Sequence, residues 1–228
     1  MRGSNTLQSP HSAIWQVHNV DQSAAEMHSQ DLPAERGIWK VSISRTALVL
    51  GSSQHSDVVD LKACARANVD LVQRRTGGGA VFLEIDQHLW VDVVVPVGDK
   101  LWSDDVVISS RWIGDAWSRV LANFGEPNLS VHRQQAVLST WSKLICFAGV
   151  GPGEVLTNGR KIVGISQRRT NKSARFQCLV HRKWEPEKFL PFLAPPRPSI
   201  EELVELVAVA DHDPNRLFVA FVDELSAL

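Results

Sequence analysis

The chain has 228 residues, 44% of them apolar and 21% charged, enough for one large domain or at most two small ones. Its formal charge of -1 supplies no global field toward nucleic acid or a membrane surface, and no apolar run approaches the roughly 20 residues that span a bilayer. Three widely spaced cysteines form no C-x-x-C pair and eight histidines follow no metal-ligand spacing, so reduced thiols in a cytoplasmic protein without a protein-bound metal are the expectation.

In chain order, residues 1–12 are polar and expected to be a flexible terminus ahead of a single domain over 13–228. Ala24-Ala25-Glu26-Met27 marks a first helix, and Ala47–Leu50 reads as a buried strand stopped by Gly51-Ser52-Ser53. A short helix over Asp57–Asn68 and a strand over Val69–Val72 lead into Arg74-Arg75-Thr76-Gly77-Gly78-Gly79-Ala80-Val81-Phe82. Ala80–Leu83 continues as a strand, residues 84–88 turn the chain, and Leu89–Val95 is a longer strand closed by Pro96. Asp104–Phe124 has helical periodicity, with Val107, Ile108, Trp112, Ile113, Ala116, Trp117, Val120 and Leu121 on one broad face and Gly125 at its end.

Residues 154–157 and 160–166 flank Asn158-Gly159, a hairpin signal whose type I′ turn needs positive φ at both central positions. A further strand spans Arg175–Val180. Ser199-Ile200-Glu201-Glu202 opens a helix with a capping box, and Asp213-Pro214 opens the last one, so residues 186–228 read as a helical end. Hairpin-linked strands with helices between and after them predict an α+β fold, a mixed sheet with packed helices.

Two stretches carry candidate chemistry. Glycines without side chains let backbone N–H groups approach a ligand oxygen, successive free N–H groups form an anion-holding concavity, and arginine adds a permanent forked charge. The triglycine after Arg74-Arg75 is therefore either an anion site or a tight turn with solvated arginines. The second stretch, Gly149-Val150-Gly151-Pro152-Gly153-Glu154, is followed by a hairpin and not a helix, which excludes a dinucleotide fingerprint; no Walker triad exists. Strand alternation puts Lys161, Val163 and Ile165 on one face, so Lys161 is either an exposed edge residue or a point charge aimed into a pocket. From Arg160 to Lys183 there are eight Lys/Arg and no Asp/Glu, a solvated run or a docking face for an acidic partner.

Taken together, Arg74-Arg75-Thr76-Gly77-Gly78-Gly79-Ala80-Val81-Phe82 and, about eighty residues on, Gly159-Arg160-Lys161-Ile162-Val163-Gly164-Ile165-Ser166-Gln167-Arg168 resemble the lipoate–protein ligase and octanoyltransferase family, over roughly residues 45 to 185. Biotin protein ligases are more distant relatives. The resemblance implies a largely antiparallel, class II aminoacyl-tRNA synthetase-like α+β domain. It implies that Arg74, Thr76, Gly77, Gly78, Gly79 and Ala80 form the ligand turn, that Lys161 is the central cation, that Gly164 and Ser166 line the far wall, and that Glu154 stands where relatives carry an acidic residue.

The resemblance further implies ATP, with Mg2+, and lipoate as substrates, and a lysine of a lipoyl domain as acceptor, in a 2-oxoacid dehydrogenase or a glycine-cleavage H protein. Ligation through lipoyl-adenylate is the first reading. Cys146-Phe147, however, resembles the nucleophile of some octanoyltransferases, where a thiolate takes octanoyl from an acyl carrier protein without ATP; the alternative for Cys146 is a small buried apolar residue. A third reading is a non-catalytic relative that only binds an acyl-adenylate or a lipoyl domain. Leu83 stands where many ligases have histidine, and Arg175–Leu179 lacks the His-Gly that both branches often carry nearby, whereas Gly79 completes a triglycine typical of ligases. Residues 186 to 228 look too short for the accessory domain of bacterial ligases, so a separate accessory partner is one expectation.

Overall fold

A computed structural model describes residues 14–228. The expected flexible terminus at 1–12 lies outside the described residues. In chain order the elements are β1 (Gln16–Gln22), α1 (Ala24–Ser29), β2 (Gly37–Ile43), β3 (Ala47–Leu50), α2 (Leu61–Arg66), β4 (Asp70–Gln73), β5 (Val81–Leu83), β6 (His88–Pro96), α3 (Val106–Ser109), α4 (Arg111–Asn123), β7 (Leu129–Val131), β8 (Val155–Thr157), β9 (Arg160–Arg169), β10 (Ser173–His181), α5 (Pro186–Phe189), α6 (Ile200–Val204) and α7 (Pro214–Ser226). Among the described residues, no helix is long and apolar enough to cross a membrane.

Two sheets face each other. The larger runs β1-β2-β6-β10-β9-β8-β7 and is antiparallel apart from the β1–β2 pair; the smaller runs β4-β3-β5. This is the α+β architecture with a mixed, largely antiparallel sheet that the residue pattern predicts. One face of the large sheet packs on α4 and α7, where Trp117 stacks on Phe221 with centroids 3.9 Å apart. Its other face meets the small sheet through Trp39, Trp90, Val49 and Leu83. The far side of the small sheet is covered by α2 and by Phe189 and Phe192. β6 is buried along nearly its whole length because it lies between helices and sheet, which explains its almost uninterrupted apolar run.

Local chemistry sets most element ends. Asn158 (φ 49°) and Gly159 (φ 79°) make the expected β8–β9 turn, and Gly125 (φ 89°) follows the end of α4. The capping boxes at Ser23 and Ser199 form, and Asp213 caps α7 through the N–H groups of Asn215 and Arg216. Three expectations change. The helix expected over 57–68 starts at Leu61, because Asp60 accepts from the Ala63 N–H and fixes the start there. The helix expected over 104–124 is two, divided at Ser110, whose hydroxyl donates to the Pro152 carbonyl; Ile108, placed on the buried face, is 47% exposed. Strands β1 and β2 lie in sequence that gave no strand signal.

Candidate active site

The glycine turn leaves β4 and is shaped by Arg74. This guanidinium is buried and has no carboxylate partner; its Nη2 donates to the carbonyls of Gly77 and Gly79, both at 2.8 Å. Arg74 is thus not a solvated arginine: its Nη2 shapes the turn, while its Nε is buried without a partner among the described residues. Pulling two carbonyls toward one side leaves the N–H groups of residues 77–79 without hydrogen-bond partners among the described residues. Arg75 points outward and pairs with Asp31 at 2.7 Å. Thr76 is buried, and its hydroxyl donates to Ser166 Oγ across 3.2 Å, tying the turn to β9.

The turn abuts the residue 145–146 segment closely. Ala80 donates to the Leu144 carbonyl and accepts from the Cys146 N–H, at 2.7 and 3.0 Å. A Cβ on Gly79 would lie 2.4 Å from the Ile145 nitrogen, so only glycine permits this approach. Cys146 is thereby brought next to the turn, with its Sγ 3.6 Å from Arg74 Nη2 and half-buried. Ala80 itself serves this seam.

Lys161 is not an edge residue: it is 3% exposed. Its ammonium sits 2.6 Å from Glu154 Oε2 and donates to the Cys146 carbonyl at 2.9 Å, with the Phe147 ring 5.2 Å away. Glu154 is held in turn by the Gly151 N–H at 2.6 Å and the Ile165 N–H at 3.0 Å, so one carboxylate fixes the Gly149–Gly153 loop, β9 and the lysine. A Cβ on Gly164 would lie 3.0 Å from the Phe147 ring, which seats that aromatic beside the lysine.

Two cavities meet here. The inner one, a cavity of about 60 Å³, lies between the sheets and is walled by Val49, Val81, Leu83, Trp90 and Leu179. The outer one is lined by Thr76, Gly77, Gly78, Gly79 and Lys161. Cys146, Glu154, Ile165 and Ser166 line both. The structure thus brings Arg74, Thr76, the three glycines, Cys146, Glu154, Lys161, Gly164 and Ser166 to one elongated space, mouth outside and apolar floor inside.

Sequence reasoning missed His28 of α1, which also lines the inner cavity. It stacks near Trp90 at 4.8 Å, and burial, then Arg175, then Arg74, push its pKa down to about 3, so its imidazole is neutral. A lone histidine in a six-residue helix carries no sequence signal. Cys178 lines the same cavity but is fully buried, and burial pushes its thiol up. Among the described residues no group of three or more His, Cys, Asp or Glu is placed to hold a metal.

The basic run from 160 to 183 does not form one free face. Arg168 pairs with Asp31, Arg169 donates to the carbonyls of Ser103 and Asp104, Arg175 is buried on Asp92, and Arg182 donates to the carbonyls of Asp86 and His212.

Comparison with known proteins places the chain. It belongs to the lipoyl protein ligase A/B catalytic domain family, which matches residues 19–206. It is 23% identical over 146 residues to the octanoyltransferase LipM of Clostridioides difficile (strain 630), a match covering 64% of this chain and 53% of that protein, so the chain aligns with about half of its curated relative. In fold it is similar to a bi-partite lipoate protein ligase from Thermoplasma acidophilum, solved in work on that ligase and its E2 lipoyl domain: TM-score 0.70, 16% identity, 94% of this chain and 83% of that one. It is also similar to a lipoate-protein ligase A bound with ATP: TM-score 0.69, 16% identity, 94% and 85%.

Proposed function

As a member of this family the chain is, we propose, an acyltransferase that carries a medium-length acyl group, octanoyl or lipoyl, on Cys146 and delivers it to a lysine of a lipoyl acceptor domain. The observation that carries this reading is the place of Cys146 where the inner and outer cavities meet, beside the Arg74 guanidinium and with its carbonyl on Lys161. The chemistry follows from that geometry. The Cys146 thiolate attacks the carbonyl carbon of a donor thioester, the donor's thiolate leaves, and the acyl group is held as an S-acyl cysteine with its tail in the inner cavity. A deprotonated lysine ε-amine of the acceptor then attacks the same carbon, the Cys146 thiolate leaves, and the new amide loses a proton to water. Both steps pass through an oxyanion, which the fixed Lys161 ammonium and the free N–H groups of residues 77–79 are suited to stabilise.

ATP-dependent ligation of lipoate is the second reading, favoured by those same unpartnered N–H groups, which suit a phosphate oxygen, and by the ATP-bound fold relative. The residues present do not suit a protein-held Mg2+. Glu154 is the one carboxylate lining the two cavities among the described residues, and both its oxygens are engaged by Gly151, Ile165 and Lys161. Incubation with an apo-lipoyl domain separates the readings: acylation from an octanoyl-carrier thioester without ATP supports transfer, and acylation requiring lipoate plus ATP supports ligation. No acylation under either condition favours a relative that only binds.

A further inference from the structure

The inner cavity is apolar, and most of its polar wall groups are occupied by the protein. Arg74 Nη2 is held by two carbonyls, its Nε alone lacking a partner among the described residues, Glu154 is held by two N–H groups and Lys161, and Ser166 by Thr76. Gln177 lies against Asp92 and donates across 3.4 Å to His28 Nδ1. Asp92, the cross-strand neighbour of Gln177, is held by the Arg175 Nε at 2.7 Å. An Nδ1 that accepts leaves the ring hydrogen on Nε2. His28 is 8% exposed, lines the cavity, and its Nε2 has no hydrogen-bond partner among the described residues. Arg175 also donates to the Met27 and Gln30 carbonyls, which holds the end of α1 and hence the ring in place. Leu83, which stands where the resemblance leads one to look for a histidine, lies in the wall of this same cavity, as do Gln177 and Cys178 of the strand that lacks a His-Gly.

We propose that His28 is a specificity-determining residue: it presents a neutral N–H donor to the acyl chain and favours chains that carry a hydrogen-bond acceptor within the cavity, such as a dithiolane ring, over plain hydrocarbon. This rests on the reading of the inner cavity as the acyl site but not on whether transfer runs through Cys146. A neutral imidazole suits the role, because an imidazolium in an apolar cavity would repel the tail it has to hold.

The test is equilibrium binding of lipoate and of octanoate to the full chain by calorimetry. The intact protein should bind lipoate more tightly. His28→Leu should weaken lipoate binding roughly three- to ten-fold, the worth of one modest hydrogen bond, and leave octanoate binding within about two-fold. Unchanged octanoate binding also reports an intact cavity. His28→Gln, which keeps an N–H donor, should retain most of the preference. Equal losses for both acids, an unchanged ratio in His28→Leu, or no binding of either acid by the intact protein overturns the proposal. Failure of acyl transfer in Cys146→Ser with these ratios intact concerns the chemistry alone.

Discussion

Arg74 and Cys146, 72 residues apart in sequence, meet with Nη2 3.6 Å from Sγ, and the same nitrogen holds the carbonyls of Gly77 and Gly79. One guanidinium therefore shapes the glycine turn and sets the charge beside the candidate nucleophile. Arg74→Met should loosen the turn and remove that charge together. Acyl transfer should fall by more than about 100-fold, in line with losing a preorganised electrostatic group. Arg74→Lys, a single point charge that cannot reach both carbonyls, should recover little. Steady-state kinetics with an acyl-thioester donor checks this, and a lysine variant with near-normal kcat would refute the fork-shaped role.

The glycines of the turn should differ sharply from one another. A Cβ on Gly77 meets nothing within 4 Å, whereas Gly78 has φ of +100° and its Cβ would fall 2.9 Å from Arg74 Nη2. Gly77→Ala should retain activity within a few-fold, and Gly78→Ala should lose acyl binding through backbone strain of about 1–2 kcal/mol and a displaced Arg74. Comparable behaviour of the two variants in a binding assay would argue against the turn geometry.

Lys161 and Glu154 form a buried pair at 2.6 Å, so removing the lysine strands a carboxylate. Lys161→Ala should abolish activity and also destabilise the fold by about 3–5 kcal/mol. The double variant Lys161→Met, Glu154→Gln should regain much of the stability and none of the activity. Urea denaturation read alongside acylation assays distinguishes the two effects; a Lys161→Ala protein as stable as the parent would mean the pair is not formed.

Two buried histidines, His28 and His181, and the half-buried His88 predict acid sensitivity. Burial lowers His28 and His181 from the ordinary 6.5 to about 3, and His88 to about 4. Between about pH 6.5 and those values the unfolded chain binds the proton and the folded chain does not, so stability is full above pH 6.5 and falls as pH drops through that window. The slope is roughly 1.4 kcal/mol per pH unit for each histidine. The denaturant midpoint should therefore decrease steadily from pH 7 to pH 5, and a flat midpoint over that range would show that these rings charge without cost.

The parts of the site readable in the sequence are those written in local backbone chemistry. Asn158-Gly159 forces the turn that aims Lys161, and the triglycine permits the 2.4 Å approach to Ile145. What was not readable depends on distant partners. Arginines before glycines suggest a ligand contact, and only the folded chain shows Arg74 turned onto its own turn. β1 went unrecognised because it is a half-exposed edge strand of mixed polarity, with no apolar run or clean alternation. The 160–183 run, open in the sequence between a solvated stretch and a docking face, has four of its arginines delivered by β9, β10 and the residues after them to separate acidic and carbonyl partners. His28 comes from an element far from either motif, and its meaning arises only where α1 closes the inner cavity.

The central claim is that Cys146 carries the acyl group. Intact mass of an apo-lipoyl domain, measured after incubation with the chain and an octanoyl-carrier thioester in the absence of ATP, tests it most directly. The account predicts addition of one octanoyl group, an S-octanoyl intermediate on the chain itself, loss of both in Cys146→Ser, and retention of both in Cys64→Ser. Full acceptor modification by Cys146→Ser, or modification that appears only when lipoate and ATP are supplied, would contradict it.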